Sequence, residues 1–290
     1  MGEFRRQAKN LVSKLESQKL FTERLMPDIE KGEVFFAIRD GYCSFYYKGC
    51  SLFKYDGKSF STHYKYAFVP ARKKTDSDYI DESSLGEMRI VTCFYQGYQD
   101  IKKQAKLYAK EEATGVSTLY KNAPRRENIQ DRYFLVDIEI AFDATNDIDD
   151  KKNDRIDILL YDNIKRELLF CEAKHFSNKE LWSKSGKKPS VVQQIIKYNR
   201  QIEINEKMII SEYTEMFKEY NSLMRTDLKA PKEIQKSCGL YVFGYDGQQQ
   251  KKLNQLLIDD GSLDGYKYRF IGNPQKGTIK SLFEELAKSD

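Results

Sequence analysis

Only two histidines occur in the 290 residues, and the five cysteines (Cys43, Cys50, Cys93, Cys171 and Cys238) are odd in number with no C-x-x-C pair. A structural zinc centre needs four nitrogen or sulfur ligands at close spacing, so these absences argue against one. They fit reduced, partly buried thiols and a reducing compartment. No apolar run approaches the ~18–20 residues of a transmembrane helix. The start, Met1-Gly2-Glu3-Phe4-Arg5-Arg6, lacks the apolar stretch of a signal peptide. The expectation is a soluble cytoplasmic protein with no membrane partner. A strong charge of one sign is missing too. Forty-nine Lys and Arg against 44 Asp and Glu leave +5, which permits a polyanionic partner without requiring one.

Aromatic residues are plentiful. Twenty Tyr and 17 Phe, within 40% hydrophobic residues, can bury a real core, so wholesale disorder is excluded. Residues 4–26 carry Phe4, Ala8, Leu11, Leu15, Leu20 and Leu25 at helical spacing, which predicts an amphipathic helix stopping near Pro27. Over 33–68, Asp40-Gly41, Lys48-Gly49 and Asp56-Gly57 recur every eight residues between short aromatic stretches. X-Gly pairs supply the positive φ of tight hairpins, which predicts a four-stranded antiparallel meander. The polar stretch Arg72 to Asp78 reads as a linker. A short strand around Met88-Arg89-Ile90-Val91 and mostly helix to residue 122 follow.

Strands are then predicted over Tyr133–Phe142, Arg155–Tyr161 and Glu167–His175, with a polar Asp- and Asn-rich loop at Asp143–Asp154. Helix runs from Ser190 to about Met224, as one or two pieces. A strand at Leu240–Gly244, a helix over 247–258, a strand over Tyr266–Ile271 and a helix from Thr278 to Ala287 complete the chain. Alternating strands and helices predict a mixed α/β domain over 81–290 beside an amino-terminal helix-plus-meander module over 1–80.

The chemistry lies in Arg155-Ile156-Asp157-Ile158-Leu159-Leu160-Tyr161 and Leu168-Leu169-Phe170-Cys171-Glu172-Ala173-Lys174. Charges inside strands that otherwise read as buried cost several kcal/mol unless paired or bound to metal. Alternation puts Glu172 and Lys174 on one strand face. A hairpin through Asn163-Ile164-Lys165-Arg166 would pair Asp162 with Glu167 and set Asp157 opposite Glu172. Two carboxylates that close repel unless a cation lies between them. Mg²⁺ accepts such oxygens together with waters and phosphate. Lys174 beside it could orient or help deprotonate water, or stabilise charge on the phosphate. The same residues could instead form a structural ion pair.

Asp157 followed fifteen residues later by Glu172-Ala173-Lys174 resembles the signature of the PD-(D/E)xK nucleases. Ile156 stands where the Pro of that name would. Gln194 and Tyr198, four apart on the next helix, resemble the Q-x-x-x-Y motif of the RecB-like branch. The resemblance covers residues ~130–205. It implies a restriction-endonuclease-like mixed sheet flanked by helices, with the meander as an accessory module for targeting, partner binding or substrate binding. It also implies an Mg²⁺-dependent nuclease, with Mn²⁺ able to substitute, acting on nucleic acid, DNA ahead of RNA. Prokaryotic antiviral defence or a mobile element would be a fitting setting. Asp157 and Glu172 would hold metal, Lys174 would act in catalysis, and Gln194 and Tyr198 would lie in the active-site neighbourhood. Such nucleases often use another acid, for which Glu139 is preferred over Glu111, Glu112 and Glu127. A protein partner or a homo-oligomer is compatible with this reading. A non-catalytic nucleic-acid-binding or protein-interaction scaffold on the same fold is the alternative.

Other features read as structural first. His175 falls on the strand face opposite Lys174. The acidic loop lacks EF-hand spacing. The meander interleaves Tyr and Phe with Arg39, Lys48, Lys54 and Lys65, but aromatics are also good strand formers. The run Lys184-Ser185-Gly186-Lys187-Lys188 is as well suited to solvent as to phosphate.

Overall fold

A two-residue hairpin of type I′ needs positive φ at both turn positions, and Lys48 (φ +52°) with Gly49 (φ +79°) supplies it. The computed structural model describes residues 4–8, 11–70, 77–86, 90–142, 155–183 and 188–288. Its residues form two compact units: Arg5–Arg126 with Glu215–Thr226, and Phe4 with Glu127–Thr214 and Asp227–Asp290. The first unit extends well past residue 80.

In the first unit, α1 (Leu11–Leu15) and α2 (Met26–Glu30) precede β1 (Val34–Ile38), β2 (Cys43–Tyr47), β3 (Cys50–Tyr55), β4 (Phe60–His63) and β5 (Tyr79–Asp81). The five strands form one antiparallel sheet in chain order. The meander is as expected, with β5 added; three residues are too short to carry a period-2 signal. The aromatic stretches supply the core: Phe35, Phe36, Phe45, Phe53 and Tyr55 are all buried. Helices α3 (Tyr98–Lys106) and α4 (Glu111–Ser117) complete the unit. Asp28 on α2 is buried because its Oδ2 accepts from the Tyr98 hydroxyl (2.7 Å) and from Lys102 Nζ (2.6 Å).

The long amino-terminal helix is corrected. Phe4 to Ala8 is not helical, α1 ends at Leu15, and a second helical run continues through Pro27 to Glu30. Pro27 follows directly on the π-helical turn Phe21–Leu25, where bonding passes from i−5 to i−4 spacing and a missing N–H is accommodated. The strand expected at Met88–Val91 is not formed by Ile90 and Val91, and residues 87–89 lie outside the described residues, as do 71–76 of the linker.

The tight β2–β3 turn yields a prediction. A Cβ on Gly49 would lie 2.1 Å from the Cβ of Ala113, at a φ that L residues rarely adopt. We expect Gly49→Ala to lower unfolding free energy by about 1–3 kcal/mol in a urea titration. An unchanged midpoint would refute this packing of the turn.

The second unit is built on β6 (Tyr133–Ala141), β7 (Arg155–Asp162), β8 (Glu167–His175), β9 (Glu233–Ile234), β10 (Gly239–Phe243) and β11 (Tyr268–Ile271). The sheet order is β11-β10-β8-β7-β6, with β9 also on β8. Strands β6, β7 and β8 are antiparallel, whereas β8, β10 and β11 run parallel. The molecule is therefore mixed α/β, with an antiparallel sheet and a mixed sheet. Helix α5 (Ser190–Met224) is one continuous 35-residue element; residues 190–214 belong to this unit. Helices α6 (Gly247–Leu253) and α7 (Ile279–Leu286) follow. Helix α5 reaches one face of the sheet, where the Tyr213 hydroxyl donates to Asp137 Oδ2 (2.8 Å). Helix α7 covers the other, with Phe283 against Tyr133 (ring centroids 5.2 Å). Among the described residues no helix is long and apolar enough to cross a membrane. All five cysteines are free, and burial pushes the Cys43 thiol up to about 12.

Candidate active site

Strand β8 occupies the middle of the sheet, and every residue from Glu167 to Lys174 is buried. A strand covered on both faces and flanked on both edges reads as near-continuous apolar sequence, so its charges need partners. The hairpin register is the expected one: Asp162 pairs with Glu167 and Ile158 with Cys171. Counting one step further sets Asp157 opposite Glu172. The ladder itself ends at Ile158, because Asp157 turns its side chain to the partner backbone and its Oδ2 accepts the Ala173 N–H (2.8 Å).

Asp162 fixes this register. Its buried carboxylate accepts a forked pair of bonds from Arg132 (2.7–3.0 Å) and the turn N–H groups of Ile164 (2.9 Å) and Lys165 (3.0 Å). Burial alone would raise its pKa, but Arg132 and those two N–H groups outweigh it and the net direction is down.

Glu172 and Lys174 share a face and meet: Lys174 Nζ lies 2.7 Å from Glu172 Oε1, with side chains 6% and 3% exposed. A second carboxylate holds the same ammonium, Glu180 Oε2 at 2.7 Å. Gln194 on α5 donates to the other oxygen of Glu180 (3.3 Å). Tyr198, one turn on, is buried and donates its hydroxyl to the Arg155 carbonyl (3.1 Å), bracing the start of β7. The five residues Asp157, Glu172, Lys174, Gln194 and Tyr198 thus lie about one sheet face. Gln194 is linked to Lys174 through Glu180, and Tyr198 to β7 through the Arg155 carbonyl.

Glu139 lies on β6, next to β7. Register counting sets it beside Asp157, but its backbone adopts φ +52° and its Oε2 lies 3.4 Å from Arg155 Nη1. Such a conformation is uncommon for Glu. The β6 register also shifts between Leu135 and Asp137. The extra residue inverts strand parity, so Phe134 faces with Asp137 and not with Ile138 and Ile140. Glu111 and Glu112 belong to the other unit, and Glu127 is exposed. Among the described residues no three or more His, Cys, Asp or Glu side chains are grouped to hold a metal ion. The acidic loop 143–154 and residues 184–187 of the basic run lie outside the described residues.

Two further acids lie outside the candidate set read from the sequence. Asp137, 1% exposed, is bound to Tyr213 and to the Ile138 N–H (2.8 Å). Glu180 lies in a polar loop with no periodicity; the Asn178-x-Glu180 capping pattern, with Asn178 Oδ1 accepting the Glu180 N–H (2.9 Å), is the one local signal. His175 is as expected, packed edge-on to Phe243 and bonded to Ser177 Oγ (2.8 Å). The chain matches no protein-family model, no curated protein and no solved structure.

Proposed function

We propose that this chain is a metal-dependent nuclease of restriction-endonuclease-like fold, hydrolysing phosphodiester bonds with Asp157, Glu172 and Lys174. The observation that carries the reading is the β7–β8 register, which brings Asp157 opposite a buried Glu172–Lys174 pair on the central strand. Two carboxylates from adjacent strands fit Mg²⁺, which takes one or two such ligands plus water and phosphate oxygens. Asp157 and Glu172 would hold it, and bound Mg²⁺ supplies Lewis-acid polarisation of the phosphate.

The chain's own residues do the rest. Lys174, its ammonium held by Glu172 and Glu180, would supply positive charge to the phosphate as negative charge builds on it. The Ala173 N–H orients Asp157. Tyr198 braces β7 through Arg155. DNA is the preferred substrate, with RNA second.

A scaffold that binds nucleic acid or protein without cutting is the second reading. The satisfied Lys174 ammonium favours it, because such a network needs no metal to stay buried. The deciding experiment offers linear, circular and single-stranded DNA and RNA with Mg²⁺, Mn²⁺ or chelator, beside calorimetric titration of Mg²⁺ into the protein. Cutting that chelator stops supports the nuclease. Nucleic-acid binding that needs no metal, without cutting and without Mg²⁺ uptake, establishes the scaffold.

A further inference from the structure

Resting on the nuclease reading, we infer that Glu180 is a positioning residue that holds the Lys174 ammonium at its working place on the sheet. The geometry divides the two oxygens of Glu180 between two partners: Oε2 faces Lys174 Nζ at 2.7 Å and Oε1 receives Gln194 Nε2 at 3.3 Å. Lys174 is a flexible four-carbon stem ending in a point charge, and such a group needs anchoring on more than one side to stay aimed. Glu172 supplies one anchor from the same strand, and Glu180 the other from outside it.

The loop carrying Glu180 is itself pinned. Phe176 N–H donates to the Phe243 carbonyl (2.8 Å), Asn178 N–H to the His175 carbonyl (2.8 Å), and Leu181 is fully buried. Asn178 caps Glu180 through its own side chain. Glu180 is also the outermost of the three charges, 39% exposed against 6% for Lys174. A carboxylate so placed can hold the ammonium from the solvent side. Gln194 gains a role here: the helix amide steadies Glu180, which steadies Lys174.

The test reads the ammonium itself in metal-free protein. In ¹⁵N-lysine-labelled protein, Lys174 should give a slowly exchanging ammonium cross-peak, assigned by its disappearance in Lys174→Arg. Glu180→Gln, isosteric and uncharged, should speed solvent exchange of that ammonium roughly tenfold, as expected for losing one charge-assisted hydrogen bond. Asn178→Ala loosens the loop cap and keeps the carboxylate, so it should speed exchange far less than Glu180→Gln. Equal acceleration in both variants would assign the effect to loop structure and overturn the proposal. So would an unmoved rate in Glu180→Gln.

With Mg²⁺ and DNA, Glu180→Gln should lower kcat roughly tenfold at unchanged KM. Faster exchange with undiminished kcat would also overturn it. A wild type that cuts nothing sinks the nuclease reading alone, and the exchange experiment still decides whether Glu180 holds Lys174.

Discussion

Lys174→Met is expected to abolish metal-dependent cutting and to lower unfolding free energy by about 3–5 kcal/mol. Both effects have one origin. The Glu172 side chain is 3% exposed, and the variant takes away the ammonium at 2.7 Å. A charge left without its partner in a buried strand is costly. The stability loss alone would not separate catalysis from an ion pair that merely supports the sheet. The double variant Glu172→Gln, Lys174→Met does. Two neutral side chains of similar shape should recover most of the stability, because neither buried charge remains. Cutting should stay at least ~10²–10³-fold down, since both a metal ligand and a charge-stabilising group are gone. Urea unfolding and a nuclease assay on the same preparations check both halves. A double variant that is stable and fully active would remove these residues from the mechanism.

Asp162→Ala is expected to cost about 3 kcal/mol and to impair cutting from a distance. The carboxylate forms a fork with Arg132 and caps the turn at Ile164 and Lys165. The Arg132 pair, screened to ~1 kcal/mol because that guanidinium is 37% exposed, and two hydrogen bonds of ~1 kcal/mol each give that total. The turn sets the β7–β8 register, and a slip of one residue would carry Asp157 to the opposite face. Asp162→Asn keeps an oxygen for the two N–H groups and loses only the charge, so its cost should be smaller.

The pH dependence follows from the lowered pKa of Asp162. A carboxylate with a depressed native value stabilises the fold above its unfolded value, near 3.8, and loses that contribution as pH falls through the native value. The stability gap between wild type and Asp162→Asn should therefore be full at neutral pH and close in strong acid. A gap that persists unchanged into acid would show that Asp162 is not held as a carboxylate by Arg132.

Much of the fold was legible because it is written in local pattern. The X-Gly pairs of the meander place φ > 0 where the hairpins turn, and β6, β7 and β8 fall on the alternating runs expected of them. The amino-terminal helix was not legible as two pieces, because helical spacing of leucines is satisfied by two short helical runs as well as by one long one. Pro27 does not stop the run, because it falls where the π-helical turn Phe21–Leu25 passes into α2. The parity of β6 was legible only up to its bulge. One extra residue near Val136 moves Phe134 to the other face, and no single residue type announces a bulge.

By itself the sequence determined which residues share a strand face and a helix face. Glu172 with Lys174, and Gln194 with Tyr198, follow from periods of 2 and 3.6 that the backbone imposes on any chain. Tertiary structure alone decided what those faces meet. It gave Lys174 a second carboxylate from Glu180, turned Asp157 to the Ala173 N–H, and drew Glu139 to Arg155. Those choices depend on which buried polar groups lack partners once strands and helices are packed, a condition that exists only in the folded chain.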